Sequence, residues 1–519
     1  MADFRTKLIT LAGAATVFAG MAFGQATFTG TPVSATAGFI RAEGTTEILP
    51  QATVNLTGAV AGSISLTVYI TPGLTITSET SSTSNETQAV ANGGGGTVTG
   101  TISGSTITFS GITTTVTTTA VTINNIRVNA SALPVASGVP TGVAETIFLG
   151  GVNATPAVAA PVTVAYALNG LGAVAIPSAS IASNTICAGA ANTLSQFILN
   201  VSENFANSFK TLATESGTNG TFPATNGTRL TVTIANIPAN VSVYVPLTVA
   251  TSTAGGAGVL TAITSPTAKT TVGNNAPAAG TSAPLTTYAA VSVSGTTGTV
   301  YYELTTAAAP GVLETYPINV YYAAKAAAVP APTNAATASV SFAPIGSTTS
   351  FPNFVVGSST GTPVNGSAFV ACATTLLFPF ATNGGGFDTG LAISNTSTDQ
   401  LALTSKGAIT SSVTPQSGTC SLTFFGTAAP AAAVVTPSVA TGTTWANSVS
   451  SLAPGFTGYV IANCNFLYAH AFAYVSYNLT QGTGVSMGYL GLTLPVSNLG
   501  TTTAARTAAT TAAPEALNN

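Results

Sequence analysis

Small apolar residues alternate with hydroxyl-bearing residues along most of the chain. In residues 52–71 the apolar positions Val54 and Leu56 begin runs in which every second residue is apolar, and residues 97–128 repeat the pattern. A period of two, interrupted by Gly and Asn, is typical of half-buried antiparallel strands and tight turns. The pattern predicts an all-β protein made of two or three β-sandwich domains in series.

One stretch, residues 192–214, fits two periods. Its apolar residues can be placed on a helical stripe, but Phe197, Leu199 and Val201 also fit a strand. We predict a strand that ends near Ser202. A short helical turn that buries Phe205 and Phe209 should follow it.

The first 24 residues have the features of a secretory signal peptide. Arg5 and Lys7 precede an apolar run at residues 8–23, and small residues lead to a predicted cleavage after Gly24. The run is short for a helix that stays in the membrane. We therefore expect an exported protein, secreted or held at the cell surface, without a membrane span after cleavage.

Changes in composition divide the rest of the chain. Pro/Ala-rich and Gly/Ser-rich stretches indicate linkers, and the last residues are of low complexity. The predicted parts are a first sandwich at 25–178, a second at 179–345, a linker at 346–370, a C-terminal sandwich module at 371–498 and a disordered tail at 499–519.

Charged residues make up only 4% of the chain, against about 25% in ordinary globular proteins. The chain has no basic patch that would indicate nucleic acid as a partner, and it has no basic run that would indicate binding to anionic lipid. Charged residues such as Lys and Glu on edge strands usually prevent edge-to-edge pairing of sheets. Their scarcity predicts self-association or contact with other surface components.

The four cysteines are Cys187, Cys372, Cys420 and Cys464, and none belongs to a C-x-x-C pair. This spacing disfavours a zinc ribbon or a redox motif. Export permits disulfides. We predict a Cys420–Cys464 disulfide inside the C-terminal module, with two buried thiols as the alternative. A Cys187–Cys372 bridge would join the second module to the third.

Several blocks together carry a resemblance to a family. They are FIRAEGTTEI at 39–48, LLFPFATNGGGFDTGLAISNTS from 376, GTCSLTFFG at 418–426 and MGYLGLTLP at 487–495. The chain resembles large secreted β-rich bacterial proteins with an Arg-Ala-Glu-Gly region near the N-terminus and a GFDTG-containing C-terminal module. The N-terminal half also distantly resembles cohesin-like sandwiches. The resemblance implies secretion and immunoglobulin-like or cohesin-like sandwiches, and no activity.

The tetrapeptide Phe387-Asp388-Thr389-Gly390 spells the Asp-Thr-Gly signature of aspartic proteases. Those enzymes need two carboxylates at one water. Asp3 leaves with the signal peptide, and Asp399 lacks the glycine that follows the catalytic residue. We therefore expect Asp388 to brace a turn by accepting hydrogen bonds from backbone N–H groups.

His470 is the only histidine of the chain. A catalytic triad would have to combine it with Asp388 or Asp399, and the sequence contains no Gly-x-Ser-x-Gly elbow. One histidine with scattered acids is also too little for a zinc site. We interpret His470 as a structural strand residue and expect no catalytic residues, no metal site and no cofactor.

The densest charge group of the mature chain is Arg41, Glu43 and Glu47. In a charge-poor protein it could mark a contact surface. A local ion pair at a strand edge is the interpretation we favour. The glycine run at 93–96 lacks the lysine of a phosphate-binding loop, and we expect a hairpin tip there.

Aromatic residues near the C-terminus could stack on sugar rings. Strict alternation across 466–477 would place Phe466 and most of these rings on one face, which predicts a core. The candidates are Tyr468, Phe472, Tyr474, Tyr477 and Trp445.

The titratable groups are too few and too scattered for ordinary catalysis. We predict a secreted, non-catalytic structural protein of the cell surface or extracellular matrix, which acts in adhesion or self-assembly. The alternative is a carbohydrate-binding module protein. An aspartic-type protease that uses Asp388 is the third hypothesis.

Overall fold

The computed structural model describes residues 25–494 except for fourteen gaps: 82–83, 136–138, 181–183, 187–192, 240, 268–269, 275–286, 325–334, 348–349, 356–362, 367–368, 372, 398–415 and 478–483. Strands dominate the described residues, as the period-two pattern predicts. No helix within them is long and apolar enough to cross a membrane. The predicted signal peptide and C-terminal tail lie outside the described residues.

The first sandwich packs a five-stranded sheet, ordered β1-β4-β10-β6-β7, on a sheet ordered β2-β14-β12-β5-β9-β8, in which β13 also pairs with β12. Its strands are β1 Thr27–Ala35, β2 Gly38–Arg41, β3 Glu47–Ile48, β4 Ala52–Thr57, β5 Gly62–Thr71, β6 Gln88–Ala91, β7 Thr97–Thr99, β8 Thr101–Ser103, β9 Thr106–Thr114, β10 Ala120–Asn124, β11 Arg127–Val128, β12 Thr141–Gly150, β13 Ala157–Val158 and β14 Val162–Leu168. The apolar positions Val54, Leu56 and Ile64 face its core. Antiparallel β6 and β7 enclose the glycine run at 93–96 as a hairpin connection.

The second sandwich has sheets ordered β15-β17-β25-β19-β22 and β20-β21-β24-β18-β26-β27, and β23 pairs with β24. Its strands, with β16 at its border, are β15 Leu171–Ala175, β16 Asn184–Ile186, β17 Thr193–Glu203, β18 Arg229–Ala235, β19 Val241–Pro246, β20 Thr248–Ala250, β21 Val259–Ile263, β22 Tyr288–Ala290, β23 Ser292–Ser294, β24 Thr297–Thr306, β25 Thr315–Ala324, β26 Thr337–Ala343 and β27 Val364–Asn365.

The C-terminal module packs a sheet ordered β32-β31-β34-β29-β37 on a sheet ordered β33-β30-β35-β36. Its strands, with β28 before them, are β28 Phe369–Ala371, β29 Thr374–Thr382, β30 Phe387–Asn395, β31 Cys420–Thr427, β32 Val434–Val435, β33 Thr444–Ser448, β34 Thr457–Cys464, β35 Ala469–Tyr477, β36 Val485–Leu490 and β37 Leu492–Leu494. Parallel pairing of β16 with β28 connects the second sandwich to the start of this module.

Helices are few and short among the described residues. Two α-helices, α1 at Leu212–Glu215 and α2 at Val449–Leu452, and two 3₁₀ turns, at Ala130–Ala132 and Ser178–Ser180, are present. Each α-helix is a single turn, so both depend on tertiary contacts for stability.

Three separate apolar cores confirm the prediction of sandwiches in series. Their extents differ from the bounds predicted by composition. Strand β15 pairs with β17, so the second sandwich begins before residue 178. Phe354 is buried in the second core, and β27 pairs with β26, so parts of the predicted linker 346–370 belong to the second sandwich. Composition cannot show this, because Gly and Pro are equally common in strand connections and in linkers.

Within the ambiguous stretch 192–214, Thr193–Glu203 form the long strand β17, which ends one residue beyond the predicted Ser202. Phe205 and Phe209 are buried, as expected. The helical turn comes later than predicted, at α1, after the chain has crossed from one sheet of the sandwich toward the other.

Candidate functional site

Asp388 braces a helix start. Its Oδ1 accepts hydrogen bonds from the backbone N–H of Thr389 at 2.9 Å and of Ser450 at 3.0 Å, and its Oδ2 accepts one from Ser450 Oγ at 2.5 Å. Ser450 lies in the first turn of α2, where backbone N–H groups have no partner within the helix. The carboxylate therefore fastens β30 to α2, a structural task close to the predicted one.

The structure does not bring Asp388 and His470 together. Asp388 lies opposite Ser476 on β35, whereas His470 lies opposite Ser394. Six residues of extended strand separate the two positions, which corresponds to about 20 Å. A triad of these residues is therefore impossible. Asp399, the other aspartate considered, lies outside the described residues, and the described part of the chain holds no cluster of three metal-ligating side chains.

The prediction that Phe472 and Tyr474 face a core is wrong. Both are exposed, and the small alternate residues Ala471 and Ala473 face inward instead. The reason is a break in the alternation between β34 and β35, where Tyr468 adopts a left-handed conformation with φ of 60°. A residue of this kind interrupts the two-residue period. The outer face of the β33-β30-β35-β36 sheet thus carries exposed aromatic rings.

The other sheet of the module also presents aromatic residues to the outside. Phe425 and Tyr459 are opposite each other on β31 and β34, and their rings stack at 4.9 Å with an angle of 11°. Both are partly exposed. Trp445, in contrast, is partly buried against the core.

The border strand β36 is exposed on both faces. Val485 and Met487 lie on the face of β36 that is turned toward the β32-β31-β34-β29-β37 sheet, and they are 66% and 61% exposed. Leu490 lies on the opposite face and is 74% exposed. We did not predict this strand from the sequence. A signal was available, because its apolar residues occur on both faces of a short strand near the chain end.

Arg41 is buried between the first and second sandwiches. Its guanidinium forms ion pairs with Glu47 at 2.6 Å and with Glu215 of the second sandwich at 2.8 Å. Its Nη1 donates to Thr228 Oγ1 at 2.7 Å, and its Cζ lies 4.9 Å from the centre of the Phe354 ring. The expected local ion pair with Glu47 exists, but it belongs to a contact between two domains and does not lie at a free edge.

The pKa values at this junction follow from burial and pairing. Burial alone would raise the pKa of Glu47, but the charges of Arg41 and Lys210 more than offset it and leave the pKa below its usual value. Burial opposes ionisation of Arg41, yet Glu215 and Glu47 raise its pKa above its usual value. Arg41 and Glu47 therefore stay charged together.

A second buried pair reinforces the junction. Arg127 Nε lies 2.8 Å from Glu86 Oε1, and Arg127 Nη2 donates to the carbonyl of Glu215 at 2.6 Å. Asn219 of the second sandwich donates to the carbonyl of Glu86 at 3.1 Å. Arginine suits such sites because its planar guanidinium donates in several fixed directions.

Backbone contacts complete the junction. The N–H of Thr45 donates to the carbonyl of Asn353 at 2.9 Å, and the N–H of Val355 donates to the carbonyl of Glu43 at 3.1 Å. The Glu43 carboxylate accepts from the N–H of Gly170 at 2.8 Å. Together with the ion pairs, these contacts hold the first two sandwiches in one arrangement.

A cleft of about 250 Å³ opens beside the junction. Phe39 and Leu49 form part of its apolar wall, and Asn125 and Lys210 are among its polar residues. The Lys210 amine lies 3.8 Å from Glu47. The cleft therefore offers no uncompensated positive charge that would select an anionic ligand.

Within the described residues, every acidic and basic side chain is buried or half-buried, and none is exposed. Most of them are fully buried, and the others are half-buried. The buried set is Arg41, Glu47, Glu86, Arg127, Glu145, Glu203, Glu215, Arg229 and Glu314, and the half-buried set is Glu43, Glu79, Lys210, Glu303 and Asp388. The charges of the described residues therefore lie in or near the interior, and the described surface consists mainly of hydroxyl, amide and apolar groups.

Cys420 and Cys464 are direct partners on β31 and β34, and a disulfide of 2.03 Å joins their sulfur atoms. Cys187 and Cys372 lie outside the described residues. Their immediate neighbours Ile186 and Ala371 are partners in the parallel pair β16–β28.

No protein-family model matches the chain, and no curated protein matches it. Two solved structures with partial likeness are pilins. One is the major pilin subunit BcpA of Bacillus cereus, at 8% identity over 85% of this chain and 93% of that chain, with a TM-score of 0.23. The other is a backbone pilin of Streptococcus pyogenes with a modular three-domain structure, at 9% identity over 82% and 77% of the chains, with a TM-score of 0.19. Superpositions this loose do not assign a function.

Proposed function

We propose that the chain is an exported structural protein that works by associating with copies of itself at the cell surface or in the extracellular matrix. The observation that carries this proposal is the absence of exposed acidic and basic side chains from the described surface. Charge on surfaces keeps proteins apart and blocks sheet edges. A surface without it favours association between like molecules.

The buried charged side chains also support this proposed function. Arg41 and Arg127 lie between the first two sandwiches, where they hold two domains as one unit. Two domains held in this way keep a fixed geometry relative to each other. A fixed geometry suits a building block of an assembly better than an enzyme that must open and close. Asp388 and His470 lie too far apart to act in one triad, which supports a structural role over catalysis by this pair.

The test is the association of the mature chain, residues 25–519, measured by sedimentation over a wide concentration range at low and high ionic strength. Association should grow with concentration and should survive high salt, because the described surface carries no exposed charged side chain whose contacts salt would screen. Electron microscopy of the associated fraction should show defined particles or filaments. A chain that remains strictly monomeric at every concentration would contradict the proposal.

Carbohydrate binding remains the alternative because Phe472 and Tyr474 are exposed on the outer face of the C-terminal module. Exposed rings of this kind can stack on sugars. A glycan array separates the two functions. Selective and saturable binding that is lost in Phe472→Ala and Tyr474→Ala would favour the alternative, whereas association without glycan binding favours a structural role.

A further inference from the structure

Among the described strands, β36 is the last of its sheet, and none of them pairs with its outer edge. It pairs with β35 over six consecutive residues without a bulge, from Tyr477 opposite Val485 to Phe472 opposite Leu490. The next pair along is fixed by a hydrogen bond of 2.7 Å from the N–H of Gly491 to the carbonyl of Ala471.

This bond sets the direction of every backbone group in β36. In an antiparallel pair the hydrogen-bonded positions alternate with positions that point away. Because Gly491 points toward β35, so do the odd-numbered residues of β36. The N–H and C=O groups of Ser486, Gly488 and Leu490 therefore point away from the sheet, at its free edge.

The usual protections of such an edge are missing from β36. The strand holds no charged residue, no proline and no bulge, and these are the devices that keep natural edges unpaired. Its apolar side chains Val485, Met487 and Leu490 are mostly exposed. The edge is therefore open to addition of another strand.

We propose that the occupant of this edge is β36 of a second copy of the chain, paired antiparallel about a two-fold axis at Gly488. This rests on the proposed self-association and names the surface that performs it. An uncharged edge has no group with which to select a charged partner, whereas it meets no repulsion from its own copy.

The strand is self-complementary in this register. Opposed residues of a continuous sheet must lie on the same face, so even positions pair with even positions. Centring on Gly488 places Ser486 opposite Leu490 of the second copy, and Leu490 opposite Ser486 of the second copy. All three residues with free backbone groups then find partners, whereas a register centred on Met487 uses only Ser486 and Gly488.

The side chains agree with this register. On the other face, Met487 falls opposite Tyr489 of the second copy, and a thioether beside an aromatic ring is a favourable contact. At the axis, Gly488 has no side chain, and the Phe472 ring occupies the space next to it: a Cβ added there would lie 2.6 Å from Phe472 Cζ. The two four-stranded sheets would then form one sheet of eight strands.

The first experiment places a positive charge on the edge of the mature chain. Leu490→Lys should weaken association about tenfold or more, because two lysines would flank one two-fold interface. Val435→Lys is the matched control. Val435 is 60% exposed on β32, a border strand of the other sheet in the same module, and its substitution should leave association unchanged. Circular dichroism and melting curves check that both variants are folded.

If both lysine variants associate like the original chain, the second copy does not dock on β36, although the proposed function stands. If the original chain does not associate at all, the proposed function fails with it. A chain shortened after residue 498 that associates where the full mature chain does not would show that residues 499–519 cover the edge, which overturns a second copy as its occupant.

The second experiment traps the register. The predicted partners Ser486 and Leu490 would form a hydrogen-bonded antiparallel pair with Cα atoms about 5.5 Å apart, a distance that a disulfide spans. A Ser486→Cys/Leu490→Cys double variant should give a crosslinked dimer under mild oxidation, and each single variant should not. Crosslinking of the single variants to the same extent, or none in the double variant, contradicts the register.

Discussion

The guanidinium of Arg41 in the first sandwich lies 2.8 Å from the carboxylate of Glu215 in the second, and both side chains are completely buried. Glu47 shares the same guanidinium at 2.6 Å. One arginine thus compensates two carboxylates at a contact between domains. Its removal should therefore lower the free energy of unfolding more than the removal of an ordinary surface residue.

Arg41→Met should lower the free energy of unfolding by about 3–5 kcal/mol, because Glu47 and Glu215 would remain buried without their partner. Urea denaturation measures the change. Lys210→Met is the matched control, since it also removes one positive charge near Glu47, at 3.8 Å and with 11% of the side chain exposed. It should cost about 1 kcal/mol or less. Equal effects of the two substitutions would contradict the central role of Arg41.

Glu145 should make stability depend on pH. Burial raises its pKa to about 8, whereas in the unfolded chain it ionises near the ordinary value of 4.5. Between these two values the folded chain holds a proton that the unfolded chain has released. The free energy of unfolding should therefore fall as pH rises through this window, by up to about 1.4 kcal/mol per pH unit.

Glu145→Gln should remove this slope, so that the variant gains stability relative to the original chain as pH rises from about 4.5 to 8. Thermal melts across the window measure it. Glu203, whose pKa burial raises to about 7, is present in both proteins, so the difference between them isolates Glu145. Parallel stability curves for the two proteins would show that Glu145 is not the group responsible.

Asp388→Ala should destabilise the C-terminal module by about 0.5–2 kcal/mol, the usual cost of losing a helix cap. Asp388→Asn should cost less, because an amide oxygen can still accept from the Ser450 N–H. Denaturation curves measure both. Neither substitution should alter proteolysis, and a purified protein whose cleavage of a protein substrate at acid pH disappears with Asp388→Asn would establish the protease hypothesis.

Peptide mapping without reduction should recover a Cys420–Cys464 crosslinked peptide. The two residues are 44 positions apart, and in the chain-entropy model a loop of this size adds roughly 4 kcal/mol of stability. Replacement of both cysteines by alanine should remove about that amount. A Cys420 peptide that is alkylated without prior reduction would contradict the bridge.

The same map tests Cys187 and Cys372. The parallel register of β16 and β28 ends at Ile186 opposite Ala371, and its continuation by one residue would make the two cysteines partners. Neighbouring strands lie about 4.8 Å apart, which a disulfide can span. A Cys187–Cys372 peptide would show that the second sandwich is fastened to the C-terminal module, and free thiols at both positions would refute it.

The sequence by itself determined the all-β architecture and the sandwiches in series. Alternation at Val54 and Leu56 is a local property, because successive side chains of any extended strand point to opposite faces. The choice of strand for the first half of 192–214, where β17 spans Thr193–Glu203, and the burial of Phe205 and Phe209 followed from the same rule. The incomplete protease motif was also recognisable from the chain alone, since Asp399, the other aspartate beyond the predicted signal peptide, lacks the glycine of the motif.

Only the tertiary structure decided where the charges and the aromatic rings lie. Glu215 is far from Arg41 along the chain, and no local period indicates that two domains bring them into contact. Phe472 lies on the outer face and not on the predicted inner face, because the left-handed Tyr468 interrupts the alternation. Strand β36 is an exposed edge because of its place in the sheet order. Period and composition act between neighbours in sequence, whereas burial, pairing and exposed edges depend on which distant segments meet.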